Sequence, residues 1–369
     1  MKCHKLAEWI KKEAVLSAAV MLAVISMCVI PPDGGYADYL DYKTLSVLFG
    51  LMLAMAGFQK LGVFKRIGER LLNQVHNSRQ VAAVLVALCF FSGMVITNDV
   101  ALITFVPFAL IVLRMARLEE LLIPVVVLQT VAANLGSMVT PIGNPQNLYL
   151  YSISGMTPSG FLGLMLPYGA AAFVMLAVCL LFIKRREVYG CGIEMREGRV
   201  SREFFVYLFL FGMSVGVVAG ITVWPALLLT ALLLVWVTDR KLFRAVDYSL
   251  LLTFIGFFIF IGNMKRVPAF CEFISRLVTG NEVAAAVAAS QVISNVPAAI
   301  LLSGFSSDWE KLIVGTNLGG LGTLIASMAS LISYKYVARE YPKLRGRYLA
   351  FFTAVNVLFL ILLLGLGIM

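Results

Sequence analysis

Charge is scarce in this sequence. Asp, Glu, Lys and Arg make up 14% of the 369 residues, against about 25% in a typical soluble domain. With 60% hydrophobic residues and a mean hydropathy of +0.91, that deficit excludes a water-soluble core of this length. Histidine is almost missing: there are only His4 and His76. The six cysteines (Cys3, Cys28, Cys89, Cys179, Cys191 and Cys271) are scattered and form no C-x-x-C pair. This speaks against a metal centre and against a disulfide framework. There is no H-E-x-x-H, no pair of intramembrane aspartates and no Ser/His pair. The constellation of an intramembrane enzyme is therefore lacking, and the expected class is a transporter, not an enzyme. No cofactor is expected.

What is present is a succession of apolar runs separated by short basic loops. A helix needs about 20 mostly apolar residues to cross a bilayer. Nine runs qualify: Ala14–Ile30, Tyr42–Phe58, Leu121–Tyr151, Ser159–Ile183, Phe204–Gly220, Thr222–Thr238, Tyr248–Asn263, Leu312–Val337 and Tyr348–Met369. The basic start, with Lys2, Lys5, Lys11 and Lys12, looks like a signal peptide. However, Ile30-Pro31-Pro32 offers no small-residue cleavage site, so the first run is read as a retained span. Two further runs are interrupted by a polar tip: Val81–Leu113 at Thr97-Asn98-Asp99, and Glu282–Gly304 at Ser294-Asn295-Val296-Pro297. Each is expected to be a re-entrant hairpin of two half-length helices with its turn at mid-membrane. The expected fold is an all-α polytopic membrane protein of about nine transmembrane helices plus two re-entrant hairpins.

Cytoplasmic loops of membrane proteins carry an excess of Lys and Arg. With the N-terminus in the cytoplasm and hairpins that return to their own side, 25 of the 30 Lys and Arg residues fall inside. Only Lys43, Lys265, Arg266, Arg276 and Lys311 fall outside. This distribution accounts for the net charge of +10, so nucleic acid is discarded as a partner in favour of the lipid bilayer. A multi-pass protein of the cytoplasmic membrane is expected. The segment from Lys60 to Gln80 alternates charged and apolar residues and reads equally well as an interfacial helix or as a cytoplasmic loop.

The polar interruptions repeat. Val95-Ile96-Thr97-Asn98-Asp99-Val100-Ala101-Leu102-Ile103 matches Val292-Ile293-Ser294-Asn295-Val296-Pro297-Ala298-Ala299-Ile300, at an offset of 197. Asn134-Leu135-Gly136-Ser137-Met138-Val139-Thr140-Pro141-Ile142 matches Asn317-Leu318-Gly319-Gly320-Leu321-Gly322-Thr323-Leu324-Ile325, at an offset of 183. Two polar-anchored matches in one order imply an internal repeat. The expected organisation is a first copy over 14–183 with a cytoplasmic-side hairpin, a linking helix over 204–220, and a second copy over 222–369. The linking helix inverts the second copy, whose hairpin then enters from outside. Inverted repeats with broken helices at mid-membrane are the architecture of secondary transporters.

Pro141 and Pro145 remove backbone donors, so Thr140-Pro141-Ile142-Gly143-Asn144-Pro145 cannot continue a helix. Unwound backbone at such depth lines protein or a watery cavity. Its freed carbonyls can hold a cation, and the N-termini of half-helices can hold an anion. Asn98, Asn134, Asn144, Asn295 and Asn317 add amides, and Thr97, Thr140, Ser294, Thr316 and Thr323 add hydroxyls. Gly136, Gly143 and Gly319 permit unwinding, while Val296 and Pro297 complete the second tip. The competing reading is that these small polar residues only glue helices together. Asp99 is the one acid expected deep in the membrane, where an ionisable group is a functional candidate by default.

At these tips and breaks the chain resembles the ion transporter superfamily. That group includes divalent anion:sodium symporters, citrate transporter-like permeases and arsenite permeases. Its symporters carry Ser-Asn-Thr at each hairpin tip and unwound segments of the T-P-x-G-x-P-x-N type. Ser294-Asn295 and Thr97-Asn98 correspond to the former, with Val296 and Asp99 in place of the Thr. Thr140-Pro141-Ile142-Gly143-Asn144-Pro145-Gln146-Asn147 corresponds to the latter. The Asn98-Asp99 pair looks more like the arsenite permeases. The resemblance implies an elevator-type movement, a homodimer and a small anionic solute such as citrate. It also implies Na⁺ held by Thr97, Asn98, Gly136, Ser294, Asn295 and Gly319, or proton coupling. Oxyanion efflux or Na⁺/H⁺ exchange through Asp99 is the alternative.

Overall fold

The computed structural model describes residues 13–188 and 201–367. The N-terminal lysines, together with Arg196 and Arg199, lie outside the described residues. Seventeen α-helices and four short 3-10 turns make up the described chain; its sole β-pairing is an isolated bridge between Asn77 and Glu187.

The first half opens with α1 (Ala14–Val29), a 3-10 turn (Gly34–Tyr39) and α2 (Tyr42–Lys60). Helix α2 bends by 53° into the amphipathic α3 (Val63–Leu72). There follow α4 (Ser78–Ile96), α5 (Asn98–Met115), α6 (Leu122–Ser137), α7 (Pro145–Ser154) and α8 (Pro158–Leu181). After α9 (Arg202–Val218) the same order returns. Helix α10 (Trp224–Thr238), a 3-10 turn (Arg240–Ala245) and α11 (Tyr248–Met264) lead by a 108° bend into the amphipathic α12 (Pro268–Val278). Then come α13 (Glu282–Ile293), α14 (Asn295–Ser303), α15 (Trp309–Leu318), α16 (Met328–Glu340) and α17 (Arg345–Leu366).

Among the described residues five helical stretches are long and apolar enough to cross a membrane, or up to seven if each bent pair is one span. Helices α1, α9 and α10 are shorter, at 16, 17 and 15 residues. The long apolar runs Leu121–Tyr151 and Leu312–Val337 are each two helices flanking a break. One expectation is corrected. The first hairpin is not built of half-length helices, because α4 and α5 have 19 and 18 residues. Asn77 caps α4 by accepting from the Gln80 N–H, which starts that helix earlier than hydropathy alone marks it. The second hairpin is short, with helices of 12 and nine residues.

Aspartates set the starts of matched elements. Asp33 accepts from the Gly35 N–H and Asp239 from the Lys241 N–H, at the starts of the 3-10 turns Gly34–Tyr39 and Arg240–Ala245, and Asp41 and Asp247 cap α2 and α11. Asp33 and Asp239 also reach across to the other half. The Arg266 guanidinium, at the end of α11, lies 2.7 Å from the Asp33 carboxylate, and the Lys60 ammonium, at the end of α2, lies 2.9 Å from Asp239. Bonded to Arg266, Asp33 is held below the ordinary carboxylate range, and Lys60 does the same to Asp239. A depressed acid contributes stability above its ordinary pKa, near 3.9, and loses it as pH falls through its folded value. The double substitution Asp33→Asn/Asp239→Asn is therefore expected to lower Tm at neutral pH, with the difference from wild type shrinking as pH falls below about 4 and vanishing once it is below the lowered folded values. A Tm difference that persists in acid would contradict this.

Helices α1, α2, α9, α10 and α11 pack together; α4, α5, α6 and α8 pack with α16 and α17; and α7 packs on α14 and α15, which pack with α13. Helix α6 is buried on every side apart from Pro124, so it forms the spine of the second group. The third group meets the first through α7 against α2 and α14 against α11, and the second through α15 against α6 and α17. At the first of these contacts, the Tyr149 ring meets Phe254 edge-on and Phe258 at a tilt, and its hydroxyl shares a 2.9 Å hydrogen bond with Ser303.

Candidate transport site at two tips and two breaks

The two hairpin tips adopt one backbone conformation. Thr97 has φ 69° and ψ 147°, and Ser294 has φ 74° and ψ 154°. Residues with a Cβ avoid this region, at a cost of order 1–3 kcal/mol each. The turn stops one helix and starts the next within a single residue. The Asn98 N–H donates to the Gly143 carbonyl (3.2 Å), and the Asn295 N–H donates to the Ala326 carbonyl (3.0 Å). Gly143 and Ala326 immediately precede Asn144 and Ser327, the N-caps of α7 and α16. The N-terminus of each tip helix thus lies beside the N-terminus of the half-helix that follows the break. The Thr140 hydroxyl donates to the Met94 carbonyl (2.5 Å) and the Thr323 hydroxyl to the Gln291 carbonyl (3.3 Å), again at matched positions.

Asparagines then join the two halves. Asn134 Oδ1 accepts from Asn98 Nδ2 and from the Ser327 hydroxyl, both at 3.0 Å, and its Nδ2 donates to the Ser330 hydroxyl at 3.2 Å. Asn317 Oδ1 accepts from Asn144 Nδ2 at 3.1 Å, and its Nδ2 donates to Asn147 Oδ1 at 2.5 Å. The offset of 183 carries Asn144 to Ser327 and Asn147 to Ser330. The asparagine of each break is therefore held by the start of the half-helix belonging to the other. All four expected tip and break asparagines, Asn98, Asn134, Asn295 and Asn317, are buried. Among the described residues Asn98 and Asn295 do not bond one another. Their connection runs through Asn134 to Ser327, next to the Ala326 carbonyl that holds Asn295.

Asp99 lies in the first turn of α5, where a helix N-terminus favours negative charge. Its backbone N–H donates to Asn98 Oδ1 (3.0 Å). Its buried Oδ1 has no hydrogen-bond partner among the described residues. Thr316 is placed differently from the other hydroxyls: it donates to the Leu312 carbonyl of its own helix (2.7 Å). Val296 and Pro297 are buried in α14. Gly136 and Gly319 end their helices and do not lie within the unwound segments. Gly136 serves a close crossing, because a Cβ there would fall on the Phe90 carbonyl of α4. Gly136→Ala has only backbone to push against. It is expected to cost about 2–4 kcal/mol, in the range of severe overpacking, and this is checked by thermal unfolding of the purified variant.

The model of the citrate transporter family matches residues 6–306. The chain belongs to the citrate transporter family. Like its family, it is a multi-pass membrane transporter, working on a small solute within a lipid bilayer. It is 33% identical over 298 residues to an uncharacterised transporter of Methanocaldococcus jannaschii, covering 80% of this chain and 81% of that protein. It is 29% identical over 304 residues to the inner membrane protein YbiR of Escherichia coli, covering 80% of each. The silicon efflux transporter LSI3 of Oryza sativa subsp. japonica is 28% identical over 177 residues, covering 48% of this chain and 35% of that protein.

In this member of the family, sequence reasoning missed Ser327 and Ser330 and the part played by Asn147 and Gln291. Extending the offset of 183 from Asn144 and Asn147 leads to the two serines. The signal was hidden because the matched residues differ in type.

Proposed function

We propose that the chain is a secondary active transporter of a small anion, such as citrate or another carboxylate, coupled to cation movement. The observation that carries this reading is the pairing of helix N-termini, α5 with α7 and α14 with α16. Each terminus carries roughly half a positive charge, and Asn134 and Asn317 tie the two pairs into one cluster. Buried amides and hydroxyls there offer donors to a carboxylate. In this reading Asp99 is the coupling acid, and the two copies are inverted, with the N-terminus in the cytoplasm. The supporting experiment is an uptake screen in proteoliposomes over carboxylates and oxyanions, with pH and Na⁺ gradients imposed separately. Accumulation of a carboxylate under one of the gradients is the expected result; none with any carboxylate would refute it.

A second reading, efflux of a hydroxylated oxyacid in exchange for protons, is favoured by Asp99 and its unpartnered carboxylate oxygen. The likeness to a silicon efflux transporter also supports it. Counterflow of silicate or arsenite in the same screen, with no carboxylate uptake, would select it.

The topology is tested by single cysteines at Lys184 and Glu272 in a cysteine-free background. A membrane-impermeant maleimide is expected to label position 272 in intact cells and position 184 only after permeabilisation. Labelling of both from one side would refute inversion.

A further inference from the structure

Backbone carbonyls released by a broken helix are ready ligands for a small cation, and in this chain they already have partners. Gln291, in the last turn of α13, donates Nε2 to the Leu321 carbonyl at 2.9 Å and to the Gly319 carbonyl at 3.0 Å, with a longer contact to Val287 at 3.3 Å. Its Oε1 accepts the Thr323 N–H at 2.8 Å. The backbone makes room for this amide. Gly322 has φ +109°, and a Cβ there would lie 2.3 Å from Gln291 Oε1. One amide nitrogen thus sits among three carbonyl oxygens, with partly positive hydrogens facing them.

The first break is filled in the same manner. Asn147 Nδ2 donates to the carbonyls of Met138 and Thr140 at 3.2 Å and of Ser137 at 3.4 Å. The two amides are not counterparts. By the offsets of 183 and 197, Asn147 corresponds to Ser330 and Gln291 corresponds to Met94. One amide comes from the half-helix after the break and the other from the hairpin before it. Two unrelated positions therefore reach the same result, which copying of an ancestral contact does not explain.

We propose that Asn147 and Gln291 are fixed occupants of the two breaks in place of a metal cation, so that neither break takes up Na⁺. The inference deepens the transport reading by leaving the proton, at Asp99, as the coupling ion. An incoming Na⁺ would have to displace an amide that satisfies several carbonyls and, at Gln291, a backbone N–H as well.

The test is a thermal-unfolding titration of the purified full chain with NaCl, choline chloride keeping the ionic strength constant. It needs no transported solute, so its outcome is separable from the identity of the cargo. The wild-type Tm is expected to stay unchanged from Na⁺-free to high-Na⁺ buffer. Gln291→Glu puts a carboxylate among carbonyls, so it is expected to melt lower than wild type in choline and to rise as Na⁺ is added. A wild-type Tm that climbs with Na⁺ overturns the proposal. So does a Gln291→Glu protein as stable in choline as wild type, or one whose Tm ignores Na⁺. If Gln291→Glu does not fold, a wild-type structure soaked in Tl⁺ decides. No density is expected within coordination distance of the Gly319 and Leu321 carbonyls, and density there overturns the proposal.

Discussion

Asp99→Asn is expected to insert and fold as wild type does, yet to lose proton-driven accumulation of solute. Asn keeps the size and hydrogen-bonding capacity of Asp but cannot exchange a proton at neutral pH. One proton moved per solute across one pH unit supplies about 1.4 kcal/mol, or about tenfold accumulation. The variant is expected to lose that factor for each unit of gradient imposed, while solute equilibration or exchange without a gradient continues. The reason lies in the placement of the carboxylate. It stands in the first turn of α5 with one buried oxygen lacking a partner, so no described contact requires it for packing. Val296 fills the corresponding position in the second half without an acid. Gradient-driven uptake by a folded Asp99→Asn protein at the wild-type level would remove Asp99 from coupling.

Asn134→Ala and Asn317→Ala are expected to have large effects on stability, of the same order as Gly136→Ala. Asn134 makes three side-chain bonds to α5 and α16, and its loss leaves Asn98, Ser327 and Ser330 buried without that partner. Interhelical hydrogen bonds in membranes average about 0.6 kcal/mol each, and an abandoned buried polar group costs about 1–3 kcal/mol. The expected loss for Asn134→Ala is about 2–4 kcal/mol by these terms. Asn317→Ala frees Asn144 and Asn147 and is expected to fall in the same range. Thermal unfolding checks both. In a double-mutant cycle, Asn134→Ala with Ser327→Ala should be clearly less than additive, since the two share one bond. Strict additivity would mean that the asparagines do not join the halves.

Much of this arrangement is written in the sequence. Hydropathy marks the apolar runs, and the matched tips Thr97-Asn98 and Ser294-Asn295 stand out because polar pairs are rare in such runs. The two prolines and the Asn-Leu-Gly pairs mark the breaks. What escapes a reading by identity is the contact partners. Asn144 with Ser327 and Asn147 with Ser330 do related work through different side chains. Gln291 has no polar counterpart at all, since Met94 stands in its place. The cross-half clasps Lys60–Asp239 and Arg266–Asp33 follow a third offset of 206, set by the helices before the hairpins, and one of them exchanges Lys for Arg. Glycine at position 136 permits unwinding. In the fold it is helical, and the absence of a Cβ matters for the crossing with Phe90. A polar tip in an apolar run hides how far each helix of the first hairpin extends, 19 and 18 residues here.

The most direct test of the site itself is uptake of labelled citrate and other carboxylates into proteoliposomes under an inward proton gradient. The wild-type protein is compared with Asn98→Ala and Asn295→Ala, each shown by thermal unfolding to be folded. Wild type is expected to accumulate one of these solutes equally well in choline and in Na⁺ buffers. Each variant is expected to lose most of that uptake, because each tip amide is placed where its helix N-terminus meets the break. Wild-type uptake rates in both folded variants would contradict a site at the tips and breaks.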